Sequence, residues 1–185
     1  MENLILIIIG VVVIILIYLL IVRNKLVKLN NNVNEAFSVM DVYLKKRWDL
    51  IPNLVETVKG YAKQEKEVLT ELTEIRKNSS YDDLSNKDKI TKNEEITRNI
   101  SKLMLLVEAY PDLKANKNFL SLGEKLSSIE DEIAQSRKYY NAVVREFNNK
   151  VEMFPSNIVA KIFKYDTKQM FLIDDNEKEN VEVNI

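Results

Sequence analysis

Glu130 and Arg137 are the residues whose types and spacing point most directly to chemistry. They lie seven residues apart, with Val144 seven further on, one step round from an apolar seam. Asn141 and Asn148 repeat that spacing on a neighbouring line. A carboxylate and a guanidinium two helical turns apart do not reach each other, so each is set to meet a group on another helix. Arg47, Asn53, Arg76 and Glu108 are the partners the sequence offers. Two outcomes follow from such a stripe: a polar network that fixes helix register, or a binding site lined by Glu130 and Arg137. Tyr110 and Tyr140 read as aromatics at the edge of the core.

Other chemistry is closed off by composition. The chain of 185 residues contains no Cys and no His, which excludes a cysteine nucleophile, a Ser-His triad, a zinc finger and a histidine-held haem. A ferritin-like di-iron site would lack its Glu-x-x-His ligands. No phosphate-binding glycine loop, dinucleotide fingerprint or nucleophile elbow occurs. Carboxylates are plentiful, but nearly all fall on helix faces that solvent should cover. Net charge is −1, which gives no global attraction to nucleic acid. The expectation is a protein without catalytic residues, cofactor or metal.

The elements that must position the stripe are helices. Three Gly and three Pro leave little material for hairpin turns. Leu4 to Val22 is apolar apart from Gly10 and Tyr18. Roughly 19 residues at 1.5 Å rise span about 28 Å, near the ~30 Å hydrocarbon core of a bilayer. A cleaved signal peptide would want a basic leading segment and a small-residue cleavage site, and neither is present. Arg23, Lys25 and Lys28 follow the span and no basic residue precedes it. The positive-inside rule therefore puts the short N-terminus outside and the helical domain in the cytoplasm.

Beyond the span, Leu26, Leu29, Val33, Phe37, Met40 and Leu44 form one apolar stripe. No turn signal separates them from the anchor. Pro52 is then expected to end this helix and start a second, with Leu54, Val55, Val58, Tyr61, Ala62, Val68, Leu69, Leu72 and Ile75 on its apolar face. The polar stretch from Asn78 to Asn86 reads as a linker. A third helix is expected from about Lys87 to Tyr110, ended by Pro111. The fourth carries an apolar seam through Phe119, Leu122, Leu126, Ile129, Ile133, Ser136, Tyr140, Val143, Phe147, Lys150 and Phe154, closed by Pro155. Ile158, Val159, Ile162 and Phe163 suggest a short amphipathic helix capped by Ser156 or Asn157. Residues 166–185 read as an acidic, disordered tail. Asp49 and Asn53 are suited to capping the second helix, and Asp112 and Asn116 the fourth. In an antiparallel bundle these two breaks would share an end if the second and third helices run side by side.

Three local patterns in order carry a family likeness: R-x-D-L-I-P-N-L at Arg47 to Leu54, E-x-Y-P-D-L at Glu108 to Leu113, and R-x-x-Y-N at Arg137 to Asn141. They include Asp49, Pro52, Tyr110, Pro111 and Asp112, and Asn116 follows closely. With the N-terminal anchor, the stretch from about Leu26 to Phe163 resembles the LemA family of bacterial proteins. That resemblance implies a helical bundle tethered to a membrane and supplies no mechanism.

The sequence is thus expected to be all-α: a short flank (1–3), a transmembrane anchor (4–22), an elongated antiparallel bundle of about four helices (23–165) and the tail (166–185). The role expected is a non-enzymatic, single-pass scaffold or interaction module of the bacterial cytoplasmic membrane. Its partners would be the bilayer and a protein not identified by sequence, with self-association left open. The rival is a receptor-like module holding a small ligand or lipid between helices.

Overall fold

The computed structural model describes residues 1–61, 66–77 and 80–171; the side chains of residues 66–68 and 76 lie outside that description. So do Ala62, Asn78, Ser79 and the stretch from Leu172 on, each of which was given a place above. The described residues form six α-helices and no strand: α1 (Glu2–Lys59), α2 (Lys66–Lys77), α3 (Asn86–Val107), α4 (Pro111–Lys114), α5 (Lys117–Glu152) and α6 (Ser156–Ile162). The chain divides into two compact units, Met1–Phe37 with the residues from Lys138 on, and Ser38–Arg137.

In the first unit α1 changes character along its length. Residues 2–18 are exposed, and Val22 is the first that is buried. From there Leu26, Leu29, Val33, Ala36 and Phe37 turn one stripe inward, meeting a core that includes Tyr140, Val144, Phe147, Val159 and Ala160. The Phe37 and Tyr140 rings pack edge to face with centroids 5.7 Å apart. After α6 the chain reverses through Lys164, whose φ is 55°. The Tyr165 amide donates to the Ala160 carbonyl (2.9 Å) and the Lys164 amide to Lys161 (3.2 Å). That is a Schellman ending with Lys at the left-handed position usually held by Gly. Residues Tyr165–Phe171 then run back along α5, so the part of the expected tail up to Phe171 is a fixed strap.

The second unit is an up-down-up-down bundle. Asp41 pairs with Lys89, and Arg47 reaches Asn93 and Thr97, so α1 and α3 ascend together. Lys102 pairs with Glu71, and the Lys92 ammonium meets the Ile75 carbonyl, so α2 descends beside α3. Arg47 meets Glu130, and Tyr61 meets Asn116, which sets α5 antiparallel to α1. Ser85 caps α3 through a bond from the Asp88 amide (3.2 Å). Asn116 caps α5 by accepting from the Asn118 and Phe119 amides (2.9 and 3.1 Å).

Several expectations need correction. Pro52 lies inside α1 and ends nothing. An interior proline removes one hydrogen bond and costs about 3 kcal/mol. Here Leu44, Trp48, Ile51, Val55 and Val58 keep a 4-3-4-3 apolar phase straight through it, all buried, while Pro52 faces solvent. Asp49 and Asn53 are therefore exposed mid-helix residues and cap no helix. The seam of α5 passes through Val144, which is fully buried, in place of Val143, and Phe154 lies beyond the helix end and is 78% exposed. The line Phe119, Leu126, Ile133, Tyr140 and Phe147 keeps its seven-residue spacing and is buried throughout, so the shift is confined to the neighbouring line at Val144. Within the linker a 3₁₀ turn at Tyr81–Asp83 buries Tyr81 against Trp48, ring centroids 5.5 Å apart. Ser156 begins α6 without capping it, its hydroxyl donating to the Met153 carbonyl (2.8 Å).

Candidate functional site

Two polar arrays stand out, one in each unit. In the second unit Arg47 enters the core because it falls three residues after Leu44, beside the apolar stripe of α1. Its side chain is 1% exposed. Nη1 donates to Glu130 Oε1 at 2.6 Å and to Thr97 Oγ1 at 3.0 Å. Nη2 donates to the Asn93 carbonyl at 2.9 Å and to Asn93 Oδ1. Only Nε lacks a partner. Burial pulls the guanidinium below its usual pKa, the Glu130 carboxylate opposes this, and the positive charge of Arg137 adds to the lowering. An arginine stays protonated through such a change. The result is a cation fixed between three helices, with four of its contacts made to protein groups. Nearly two turns earlier on α1, Asp41 accepts from Lys89 Nζ (2.8 Å) and from the Tyr81 hydroxyl. Burial and that carboxylate together push the Tyr81 pKa well above its ordinary value of 10.0.

The structure thus brings Arg47 and Glu130 into contact and places Arg137, half-buried, close enough to act on Arg47 electrostatically. Asn53 is exposed and does not join them. Glu108 pairs with Lys114 at the surface (2.5 Å). Tyr110 occupies the cap position before α4 without a side-chain cap bond, Pro111 is the first residue of that helix, and Asp112 lies in its first turn. Asn116 does cap α5, and its Nδ2 also donates to the Tyr61 hydroxyl (2.8 Å). The two turns it links, after α1 and before α5, share an end of the unit. The Arg76 side chain is outside the described residues. Asn93 and Thr97 were missed, although Asn93 sits at an apolar position of the run Ile90, Asn93, Ile96, Ile100, Leu103, Val107, which was a usable signal.

Asn141 belongs to the first unit and to a different device. Its Nδ2 donates to the Phe171 carbonyl, and its Oδ1 accepts from the Phe171 amide, both at 2.8 Å. Asn148 does the same for Lys168, at 2.9 and 2.8 Å. Between them the Tyr140 hydroxyl donates to the Gln169 carbonyl (3.0 Å). Each carboxamide supplies one donor and one acceptor to the main chain of a single residue, as a neighbouring β-strand would. Phe171 is fully buried at the far end of the strap.

Among the described residues no group of three or more acidic, His or Cys side chains is placed to hold a metal ion. An open groove of about 600 Å³ runs between α1 and α2 in the second unit. Its walls are Ile51, Pro52, Val55, Glu56, Lys59, Leu72, Thr73 and Lys77, and include neither Glu130 nor Arg137.

The chain matches the model of the LemA family over residues 36–185. It is also similar to a protein called LemA from Metamycoplasma hominis, 29% identical over 161 residues that cover 87% of this chain and 73% of that relative.

Proposed function

This chain belongs to the LemA family, and we propose that it acts as a non-enzymatic scaffold, tethered to the bacterial cytoplasmic membrane by α1 and presenting a helical bundle to a protein partner. The observation that carries the reading is the change of regime along α1. One uninterrupted helix has an apolar window long enough to cross a membrane, of which 6% is buried, and then buries one stripe from Val22 on. A core helix of a soluble protein would bury that window; a lipid-facing one leaves it bare. Arg23, Lys25 and Lys28 at the end of the window favour the bundle on the cytoplasmic side. The polar groups support a structural role, because Arg47, Glu130, Asp41 and Lys89 are engaged in joining helices. The reading calls for no cofactor.

Cell fractionation tests the tether. The full chain should stay with the membrane pellet through an alkaline carbonate wash and leave it only in detergent, and deletion of residues 4–22 should release it. Recovery of the full chain in the carbonate supernatant would overturn the tether. A single cysteine at Lys150 tests the side: it should resist a membrane-impermeant thiol reagent in whole cells, and labelling equal to that of a known external site would reverse the orientation. For the scaffold role, photocrosslinkers at exposed Val42 and Leu105 should give discrete protein adducts in native membranes. Their absence at both positions would count against it.

A further inference from the structure

The turn after α5 and the outer face of α6 carry a set of large apolar side chains turned to solvent. Met153 is 62% exposed, Phe154 78%, Ile158 51%, Ile162 59% and Phe163 42%. Ile158 and Ile162 are four residues apart and share one face of α6, opposite Val159 and Ala160, which are buried. Lys161 and Lys164 are exposed beside them. Contiguous apolar exposure of this kind marks a surface that is covered in the working protein.

The position of this patch says what covers it. Phe37 of α1 packs on Tyr140 of α5, and the two helices run in opposite directions within this unit. Fourteen residues back from Phe37 is Arg23, and fourteen on from Tyr140 is Phe154. At 1.5 Å per residue the first step is about 21 Å; the second is about 18 Å to the end of α5 at Glu152, with Phe154 two residues beyond, so the turn after α5 stands near the level of Arg23. A direct contact agrees: the Arg23 guanidinium carbon lies 5.2 Å from the centre of the Phe163 ring. Arg23 is the first charged residue after the apolar run of α1, and Val22, just before it, is the first buried one. The patch therefore sits where that run ends, continuous with its exposed apolar surface.

We propose that Met153, Phe154, Ile158, Ile162 and Phe163 form a foot that beds into the lipid–water interface of the membrane that α1 crosses, with Lys161, Lys164 and Arg23 in the headgroup layer. The inference rests on the tether reading above. The chemistry is that of an interfacial amphipathic segment: aliphatic and aromatic side chains reach the acyl boundary, and basic side chains with long stems extend to anionic headgroups. Phenylalanine and isoleucine at this depth lose contact with water without crossing the hydrocarbon core. A chain held by one helix alone could pivot about the tether. A second contact beside that helix removes the freedom and fixes the angle of the first unit to the membrane plane.

The absence of cysteine makes the test direct. Single cysteines at Ile158, Ile162, Val12 and Tyr139 in the full chain are labelled with an environment-sensitive fluorophore and reconstituted into vesicles of phosphatidylcholine and phosphatidylglycerol. All four positions are exposed, so the label leaves packing intact. Tyr139 is on α5, thirteen residues before its end at Glu152, so about 20 Å further from the interface than the turn after α5 by helical rise. A lipid quencher carried near the headgroup should reduce emission at 158 and 162 at least about 3-fold more than at 139, as expected for a segment lying in the interface. A quencher deep in the acyl chains should act on 12. If 12 is quenched and 158 and 162 behave like 139, the foot is overturned and the tether stands. Blue-shifted but unquenched emission at 158 and 162 would mean that protein, such as a second copy, covers the patch, which also overturns it. No quenching at 12 would remove the tether reading and this inference with it.

Discussion

Replacing Arg47 tests whether the buried cation holds the bundle or merely occupies it. Arg47→Met keeps most of the aliphatic volume and deletes the guanidinium. Removing one member of a fully buried ion pair costs about 3–5 kcal/mol, and an exposed pair is worth about 0–1 kcal/mol. Arg47 is 1% exposed but Glu130 is 35% exposed, so the released carboxylate can find water. The Asn93 carbonyl keeps the Thr97 hydroxyl as a donor at 3.1 Å. The expected loss for Arg47→Met is therefore about 2–3 kcal/mol, below the fully buried figure. Glu130→Gln keeps an acceptor for Nη1 and removes only the countercharge, so about 1–2 kcal/mol is expected. The double variant should recover part of the sum, with a coupling of about 1–2 kcal/mol. Equilibrium urea unfolding of the full chain in detergent micelles measures all four proteins. Trp48, the sole tryptophan, is buried next to Arg47 and reports the local transition. A coupling below about 0.5 kcal/mol would refute the claim that Glu130 is what Arg47 is held by.

Three further outcomes are expected. Ile133 is 3% exposed in the seam of α5, and Ile133→Ala should cost about 2–5 kcal/mol in the same unfolding assay; a change under about 0.5 kcal/mol would mean the seam is not core. Asn141→Ala and Asn148→Ala each remove two neutral hydrogen bonds from the strap, about 1–3 kcal/mol locally, so hydrogen exchange at the Phe171 or Lys168 amide should quicken roughly 5- to 150-fold, whereas unchanged protection would show the strap is held by Phe171 burial alone. Because burial and the Asp41 bond raise the Tyr81 pKa above 10.0, folding holds that proton more tightly than the unfolded chain does; the contribution is complete below pH 10 and is lost as pH rises past it, so stability should fall above pH 10 and Tyr81→Phe should flatten the fall.

The helical class and the long fourth helix were legible because each is written as a long periodic pattern, and the apolar opening of α1 because it is an unbroken run. Pro52 shows where a local rule misleads. Its ring argues for a break, yet the 4-3-4-3 phase of Leu44, Trp48, Ile51, Val55 and Val58 runs through it undisturbed, and continuity of a buried stripe outweighs one missing amide. The Glu130 partner was among the four residues offered, but the choice of Arg47 over Arg76, Asn53 and Glu108 depends on helix rotation and register, which spacing alone does not give. Asn93 was hidden for a different reason: a single polar residue on an apolar seam looks like an interruption until a buried donor faces it. Tyr81 was masked by its neighbours, since a stretch reading Asn-Ser-Ser-Tyr-Asp-Asp is turn-like in composition whether or not its aromatic is anchored.

The paired asparagines are the case in which spacing was seen and its cause was not. Seven residues on a helix suggest a heptad, hence a second helix opposite. The same interval has another match. Seven residues of helix rise about 10.5 Å, and three residues of extended chain cover about 10 Å. Side chains at 141 and 148 are therefore in step with main-chain groups at 171 and 168 of an extended segment running the other way, and the structure pairs them in that order. The side-chain type then follows from the task. A main-chain residue presents one donor and one acceptor, so the side chain that meets it must supply both; aspartate cannot donate, and serine is too short to bridge the two. A carboxamide does this without carrying charge, so it needs no countercharge beside the buried Phe171. Arg47 could not serve in this place, having five donors and no acceptor, and an asparagine could not replace Arg47 across three helices. The polar residues inside the two units differ because one unit must join helix to helix, where a long branched cation reaches several acceptors, and the other must join helix to extended chain, where two short carboxamides at the right interval suffice.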